Sequence, residues 1–230
     1  EGDVSRRLGV GGLPAEAESD VVRRDLDLVR RTGARYHCQH VSSKMTVEMI
    51  RAAKEEGLPV TAEVAPHHLS FSEEDLGTLD TNFKMYPPLR TESDRSALVE
   101  ALRDGTIDAV ATDHAPHQRF EKEVEFSKAP RGVIGLETAA SVVWATLRDR
   151  DSLFRVLSTT PATIAGLADH GCPLQLGKQA NLVVFAPDET WTASSFRSKS
   201  DNSPYLGAEM SGRVETTIHR GKITYESGGT

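Results

Sequence analysis

The stretch TIDAVATDHAPH, residues 106–117, places an apolar run directly before a cluster formed by Asp113, His114 and His117. The apolar run is typical of a buried strand. A carboxylate at the end of such a strand is costly to bury unless a metal ion or another cation compensates its charge. Asp113 is therefore a candidate metal ligand, because imidazole and carboxylate groups from strand ends suit a hydrolytic zinc site.

The segments on both sides of this stretch alternate between strand and helix patterns. Strands are predicted at residues 35–41, 58–65 and 106–114, and helices at 15–33, 43–57, 92–105 and 135–149. Helical spacing of apolar residues and glycine at the helix ends support the helices. Strands that alternate with helices predict a parallel sheet covered by helices.

Two folds contain such a sheet, and the position of the polar residues favours one of them. A doubly wound nucleotide-binding fold is typically marked by a glycine-rich turn, and the sequence contains neither GxGxxG nor GxxxxGK[ST]. In a (β/α)8 barrel of the TIM type, catalytic groups sit at the C-terminal ends of the strands. His40, the His67/His68 pair and Asp113 all occupy that position.

The number of βα units is too small to close a barrel. We therefore expect residues 1–170 to form the C-terminal part of a (β/α)8 barrel, with its last strands and helices, whose first strands lie upstream of Glu1. Short β-type runs at 180–187, 214–221 and 222–227 predict that residues 171–230 form the C-terminal part of a small β-sandwich.

Other polar residues have ordinary structural interpretations. His37, His170 and His219 are single histidines and are read as structural, whereas His40 ends a strand and is a candidate metal ligand. The charged segment EKEVEFSK, residues 121–128, is predicted to be solvated.

Composition limits the function classes. The net charge of −7 argues against general binding to nucleic acid or anionic membranes, so a small-molecule partner is expected. The two cysteines lack CxxC spacing, which argues against a disulfide framework or structural zinc site and fits a cytoplasmic protein. No run of residues is long and apolar enough to suggest a membrane span.

Several segments resemble, in order, the motifs of long-chain bacterial dihydroorotases in the amidohydrolase superfamily. They are HVSS (40–43), TAEVAPHHL (61–69), KMYPPLR (84–90), TIDAVATDHAPH (106–117), EKEVEFSKAPRGVIGLET (121–138), LSTTPATIAGL (157–167) and QANLVVFAPDETW (179–191). The resemblance implies a two-zinc barrel enzyme that interconverts N-carbamoyl-L-aspartate and dihydroorotate in pyrimidine synthesis. It also implies that the family's first half, with its other metal ligands, is missing.

The same resemblance implies roles for individual residues. His40 matches a zinc ligand, and Asp113 matches a ligand of the other zinc that also shuttles the proton. His117 matches a substrate-binding histidine, and Arg131 with Gly132 matches a loop whose backbone holds the substrate. Tyr86 departs from the family, which has asparagine at this position of the substrate pocket.

Three functions remain open at the level of sequence. The first is dihydroorotase, with this chain inactive alone because its ligand set is incomplete. The second is a related cyclic amidohydrolase, such as a hydantoinase, dihydropyrimidinase or allantoinase. The third is an inactive dihydroorotase-like scaffold for aspartate transcarbamoylase. The expected partners are a small-molecule substrate and the missing first half, with a homodimer or an aspartate transcarbamoylase complex as further alternatives.

Overall fold

The computed structural model describes residues 2–228 of the chain. Its helices are α1 Asp3–Leu8, α2 Glu16–Thr32, α3 Lys44–Glu55, α4 Pro66–Ser70, α5 Glu92–Asp104, α6 Arg119–Lys122, α7 Ala139–Leu147, α8 Arg150–Phe154 and α9 Thr160–Ala165. Its strands are β1 Tyr36–Cys38, β2 Val60–Val64, β3 Ala109–Val110, β4 Leu182–Thr192, β5 Glu209–His219 and β6 Lys222–Glu226. Short 3-10 turns cover Glu73–Thr78 and Thr81–Phe83, and a π-helical turn covers Arg155–Thr159.

The first three strands form a parallel sheet in the order β1-β2-β3, which confirms the predicted alternation of strands and helices. Tyr36 pairs with Val60, and Glu63 pairs with Ala109. Residues in β2 alternate between buried and half-buried, so its valines face the apolar core. Parallel strands bring their carboxyl ends to one edge of the sheet. That edge carries the candidate site.

Strand β3 is much shorter than the predicted strand over residues 106–114. Asp113 adopts a left-handed backbone conformation with φ 48°. Beyond it, His114 pairs with Val133 of a distant loop in an isolated parallel bridge. The chain therefore leaves the sheet before Asp113 and continues along that loop.

Helix α2 ends where its sequence predicts, and one carboxylate fixes the turn after His40. Helix α2 ends at Gly33, which has φ 68°. In the first turn of α2, the Glu18 carboxylate accepts hydrogen bonds from the backbone N–H groups of Ser42 and Ser43, at 3.2 and 3.1 Å. Ser43 also caps α3 by accepting from the Thr46 N–H. Glu18 thus joins α2 to the start of α3.

The last three strands form a separate antiparallel sheet in the order β4-β5-β6. This confirms the β-type character predicted for the C-terminal residues. Strand β4 is longer than the run at 180–187, because pairing with β5 continues through Trp191, opposite Met210. Helix α7 packs on β5, and its Ser141 hydroxyl donates to the Gly212 carbonyl at 2.6 Å.

The described part of the chain, residues 2–228, contains no helix that combines the length and apolar character needed to cross a bilayer.

Candidate active site

The two candidate metal ligands share an uncommon backbone conformation. Asp113 follows β3 with φ 48°, and His40 follows β1 with φ 39°. A non-glycine residue in this region carries strain of about 1–3 kcal/mol, and such strain is concentrated at active sites and ligand clamps. The strain here falls on both residues that the sequence selects.

Burial and neighbouring charges both act on the Asp113 carboxyl. Burial raises the pKa of the Asp113 carboxyl above its usual range, while His40 opposes this shift and Glu63 adds to it. A nearby cation favours the ionised carboxyl, and a nearby anion opposes it. The Asp113 carboxyl therefore interacts electrostatically with both His40 and Glu63.

His67 lies against the Asp113 carboxylate. Its Nε2 atom is 3.9 Å from Asp113 Oδ2, and its side chain is almost fully buried. Burial, together with the neighbouring His68 and His40, holds the pKa of His67 well below its ordinary value. His67 is therefore neutral at pH 7, and its Nε2 atom has no hydrogen-bond partner within the described residues.

His68 supports the site from behind. Its ring lies 4.4 Å from that of His67, centroid to centroid, and its Nε2–H donates to the Pro87 carbonyl at 3.0 Å. Burial lowers the pKa of His68 to about 4. The sequence placed His67 and His68 at the end of a strand without assigning them contacts.

His37 is engaged in hydrogen bonds beside the cleft. Its Nε2 atom lies 2.9 Å from Glu63 Oε2, and its Nδ1 atom lies 2.8 Å from the Thr61 hydroxyl. A cavity of about 330 Å³ next to these residues is lined by His37, His40, Tyr86 and Arg90 among others. A cavity of about 730 Å³ lies between α7 and the C-terminal sheet, and His40 and Asp113 are not among its lining residues.

Residues 130–132, which we call the substrate loop, lie beside the end of the Asp113 segment. His117 Nε2 donates to the Arg131 carbonyl at 2.9 Å. The Arg131 guanidinium lies over the Tyr86 ring, 4.8 Å from its centroid. The structure therefore brings together His117, Arg131 and Tyr86, which the resemblance selects from separate motifs.

The backbone N–H of Gly132 is engaged within the protein, whereas the resemblance implies that the backbone of this loop holds the substrate. Its N–H already donates to the Lys84 carbonyl at 2.8 Å, so this N–H is not free to hold a substrate. Gly132 has φ +124°, and a Cβ atom there would lie 2.6 Å from the Cβ of Ala115. The described structure thus requires glycine for close packing and backbone geometry in the loop.

Two buried residues at this site were missed by the sequence analysis. Lys122 belongs to the segment predicted to be solvated, yet only 6% of it is exposed, so that prediction is wrong for this residue. Its ammonium donates to loop carbonyls, which compensate its charge. Asn202 precedes β5 in a segment without periodic pattern, and it contacts residues 115, 117 and 132. Only the fold reveals such distant contacts.

No group of three or more histidine, cysteine, aspartate or glutamate side chains in residues 2–228 is arranged to hold a metal ion. His40 and Asp113 fit a metal site in chemistry, since both are strand-end donors. Two ligands are fewer than the three or four that zinc sites use.

Comparison with known sequences extends over nearly the whole chain. The model of the Amidohydrolase family matches residues 9–224. A protein named dihydroorotase from Caldanaerobacter subterraneus is 44% identical over 98% of this chain and 53% of its own length. Another from Mycobacterium tuberculosis is 46% identical over 99% of this chain and 55% of its own length. The chain thus spans about half the length of these curated relatives.

Solved structures with a similar fold include an L-hydantoinase and a dihydropyrimidinase. The L-hydantoinase (dihydropyrimidinase) from Arthrobacter aurescens superposes with a TM-score of 0.87 at 31% identity, over 94% of this chain and 50% of that one. The dihydropyrimidinase from Brevibacillus agri has a TM-score of 0.85 at 25% identity, over 93% of this chain and 49% of that one. Together with the family match, these likenesses give the chain an α/β fold of the TIM-barrel type.

Proposed function

Since this chain belongs to the amidohydrolase family, we propose that it is the second half of a dihydroorotase. The complete protein, meaning this chain joined to a first half of the kind its relatives carry, would interconvert N-carbamoyl-L-aspartate and (S)-dihydroorotate in pyrimidine synthesis. The observation that carries the proposal is the identity of 44% and 46% to proteins named dihydroorotase along almost the entire chain.

The proposal includes the division of the chain. Residues 1–170 would be the last part of a (β/α)8 barrel, and the parallel sheet β1-β2-β3 with its helices supports this. Residues 171–230 would be part of a small β-sandwich, which the antiparallel sheet β4-β5-β6 supports. The first half would then supply the remaining barrel strands and further sandwich strands.

The cofactor in this proposal is a pair of zinc ions, with His40 and Asp113 each ligating one of them. The donor chemistry of the two side chains and their positions after β1 and β3 of one parallel sheet support this assignment. The other ligands would come from the first half. Bound zinc supplies a water of lowered pKa and polarises the carbonyl that is attacked.

The residues of this chain have distinct tasks in the reaction. Asp113 takes the proton of the attacking water and returns it to the ring nitrogen as the amide bond breaks, and ring closure reverses these steps. His117 and Arg131 orient the substrate, and Gly132 allows the substrate loop to pack closely against Ala115. Tyr86 holds Arg131 by stacking. By the resemblance, the family's asparagine at this position would instead contact the pyrimidine ring of the substrate.

The test is a comparison of ring substrates with the complete protein. We expect turnover of dihydroorotate, and little or none of hydantoin, dihydrouracil or allantoin. Asp113→Asn should lower kcat by about 10²- to 10⁴-fold, because the general base is lost. Lys128→Met, at an exposed site beside the substrate loop, is the control and should leave kcat unchanged. Preference for another ring substrate would refute the dihydroorotase assignment.

A second candidate is a related cyclic amidohydrolase of the hydantoinase or dihydropyrimidinase type. The likeness to the Arthrobacter aurescens L-hydantoinase, with a TM-score of 0.87, favours it. The same comparison of substrates separates the two candidates. Absence of turnover with every ring substrate would instead favour the third alternative, an inactive scaffold for aspartate transcarbamoylase.

A further inference from the structure

We propose that Asn202 and Lys122 are positioning residues that fix the substrate loop, residues 130–132, against the segment that follows Asp113. This proposal rests on the proposed function, because it gives that loop the task of holding the substrate. Neither residue is a candidate ligand or proton carrier. Both act through the backbone of residues that contact substrate in the proposal.

Asn202 uses both ends of its carboxamide for this purpose. Its Nδ2 donates to the carbonyls of Ala115 and Gly132, at 3.0 and 3.2 Å, and its Oδ1 accepts from the His117 N–H at 3.2 Å. Its own carbonyl accepts from the Ile134 N–H at 3.0 Å. Only 3% of the residue is exposed. A carboxamide offers two donors and an acceptor, and this site uses both functions.

Lys122, which precedes the substrate loop in the sequence, also holds this loop. Its Nζ atom donates to the carbonyls of Pro130 and Gly132, both at 3.1 Å. The Gly132 carbonyl therefore accepts from Lys122 and Asn202 together. Lys84 restrains the residues just before the loop, since its Nζ donates to the carbonyls of Phe126 and Ala129 at 2.6 and 2.7 Å.

These contacts matter because the loop is linked directly to the catalytic segment. The Ala115 N–H donates to the Val133 carbonyl at 2.9 Å, and His117 donates to the Arg131 carbonyl. A shift of the Gly132 carbonyl would therefore move Arg131 and His117 relative to Asp113. Because Arg131 and His117 bind the substrate in the proposal, their misplacement weakens substrate binding and raises KM.

The charge on Lys122 adds a dependence on pH. Burial lowers the pKa of Lys122 to about 8, and the charged groups that face it are Lys84, which lowers the pKa further, and Asp80, which raises it. The ammonium is present below this pH and is lost above it. Its hydrogen bonds to the loop therefore weaken as the pH rises through about 8.

Steady-state kinetics of the complete protein form the first arm of the test. Asn202→Ala and Lys122→Met should each raise KM for dihydroorotate by about 10-fold or more, with kcat changed by less than about 3-fold. KM of the parent protein should rise above pH 8, and this rise should be absent in Lys122→Met. Lys128→Met, whose exposed ammonium lies 3.0 Å from Glu125, is the matched control.

Hydrogen exchange in the complete protein forms the second arm and needs no activity. Faster exchange of the Gly132, Ile134 and His117 amides in both variants, with unchanged exchange in the rest of the sheet, supports the proposal. Unchanged exchange at these amides, or faster exchange throughout the chain, would overturn it. An inactive parent protein would refute the proposed function, and the exchange result would still decide the role of Asn202 and Lys122.

Discussion

His67 and Asp113 face each other at 3.9 Å, between Nε2 and Oδ2, across the edge of the parallel sheet. This distance is too long for a hydrogen bond. The two side chains also differ in burial, since 2% of the His67 side chain and 32% of the Asp113 side chain are exposed. A buried neutral imidazole thus forms the inner wall of the cleft, and the more exposed carboxylate remains accessible to a ligand.

Replacing His67 should separate stability from activity. In the complete protein, His67→Leu removes a buried polar atom that has no partner within residues 2–228, so we expect the unfolding free energy to change by less than about 1 kcal/mol. Metal affinity or kcat should fall by about 10- to 100-fold, because a group supporting a candidate ligand is lost. Urea unfolding and steady-state kinetics measure the two effects. Equal losses in stability and activity would contradict this interpretation, and the exposed His170→Leu serves as the control.

His68 should make the fold sensitive to moderate acid. The pKa of His68 is about 4 in the folded state, against an ordinary value of 6.5. Between these two pH values the unfolded chain therefore binds a proton at His68 and the folded chain does not. Stability should therefore fall as the pH drops from about 6.5 to about 4, by roughly 3 kcal/mol from this group. His68→Gln, whose amide can still donate to Pro87, should show a smaller fall in its urea midpoint. The same fall in both proteins would exclude His68 as the cause, and His170→Gln is the control.

Tyr86 should act through its ring and not through its hydroxyl. Removal of the ring in Tyr86→Ala frees Arg131 from the stacked position, and we expect KM for dihydroorotate to rise by about 2- to 5-fold, as for a cation–π contact of 0.5–1 kcal/mol. Tyr86→Phe keeps the ring and should match the parent. If Tyr86→Phe and Tyr86→Ala behave alike, the stacking has no role in binding.

The isolated chain and the complete protein should differ in how well they retain zinc. With His40 and Asp113 as its candidate ligands, the chain alone should lose zinc during dialysis, because tight sites use three or four ligands. The complete protein should retain it. Elemental analysis after dialysis measures the metal content, with Asp113→Asn in the complete protein as a reference for a damaged site. One or more zinc ions retained per isolated chain would show that it holds a complete site.

The isolated chain should self-associate through its C-terminal sheet. β4 and β6 are the outer strands of the described sheet, and Val183, Val184 and Ile223 on them are exposed. Unpaired strand edges with apolar side chains favour association. Sedimentation should detect oligomers that Ile223→Lys reduces and Thr224→Lys, on the same strand, does not. A monodisperse monomer would contradict the idea that these surfaces belong to an incomplete fold.

Local sequence signals predicted the longer helices and the parallel pairing of the first three strands. The spans of α2 and α3 agree with the predictions, because their apolar spacing and the serine and glycine at their ends act within a few residues. The length of β3 was not predictable in this way. It depends on the pairing of His114 with Val133, which lies in another segment of the chain.

At the site, too, local signals were predictive and contacts between distant segments were not. Strand-end position alone selected His40 and Asp113, since any parallel sheet brings these positions to one edge. Lys122 was misread because a run of charges normally lies in solvent, and its burial depends on carbonyls of residues 130 and 132. Asn202 gave no local signal, because its partner Ala115 lies 87 residues away in the sequence.

The link between Asn202 and Gly132 also sets an order of events during synthesis on the ribosome. The two residues are separated by 70 positions, which take about 4–14 s to translate at roughly 5–20 residues per second. Throughout that interval the nascent polypeptide already contains Asp113, His117 and Arg131 but not the carboxamide that ties them together. The segment that follows Asp113 can therefore reach its final form only after residue 202 has been made.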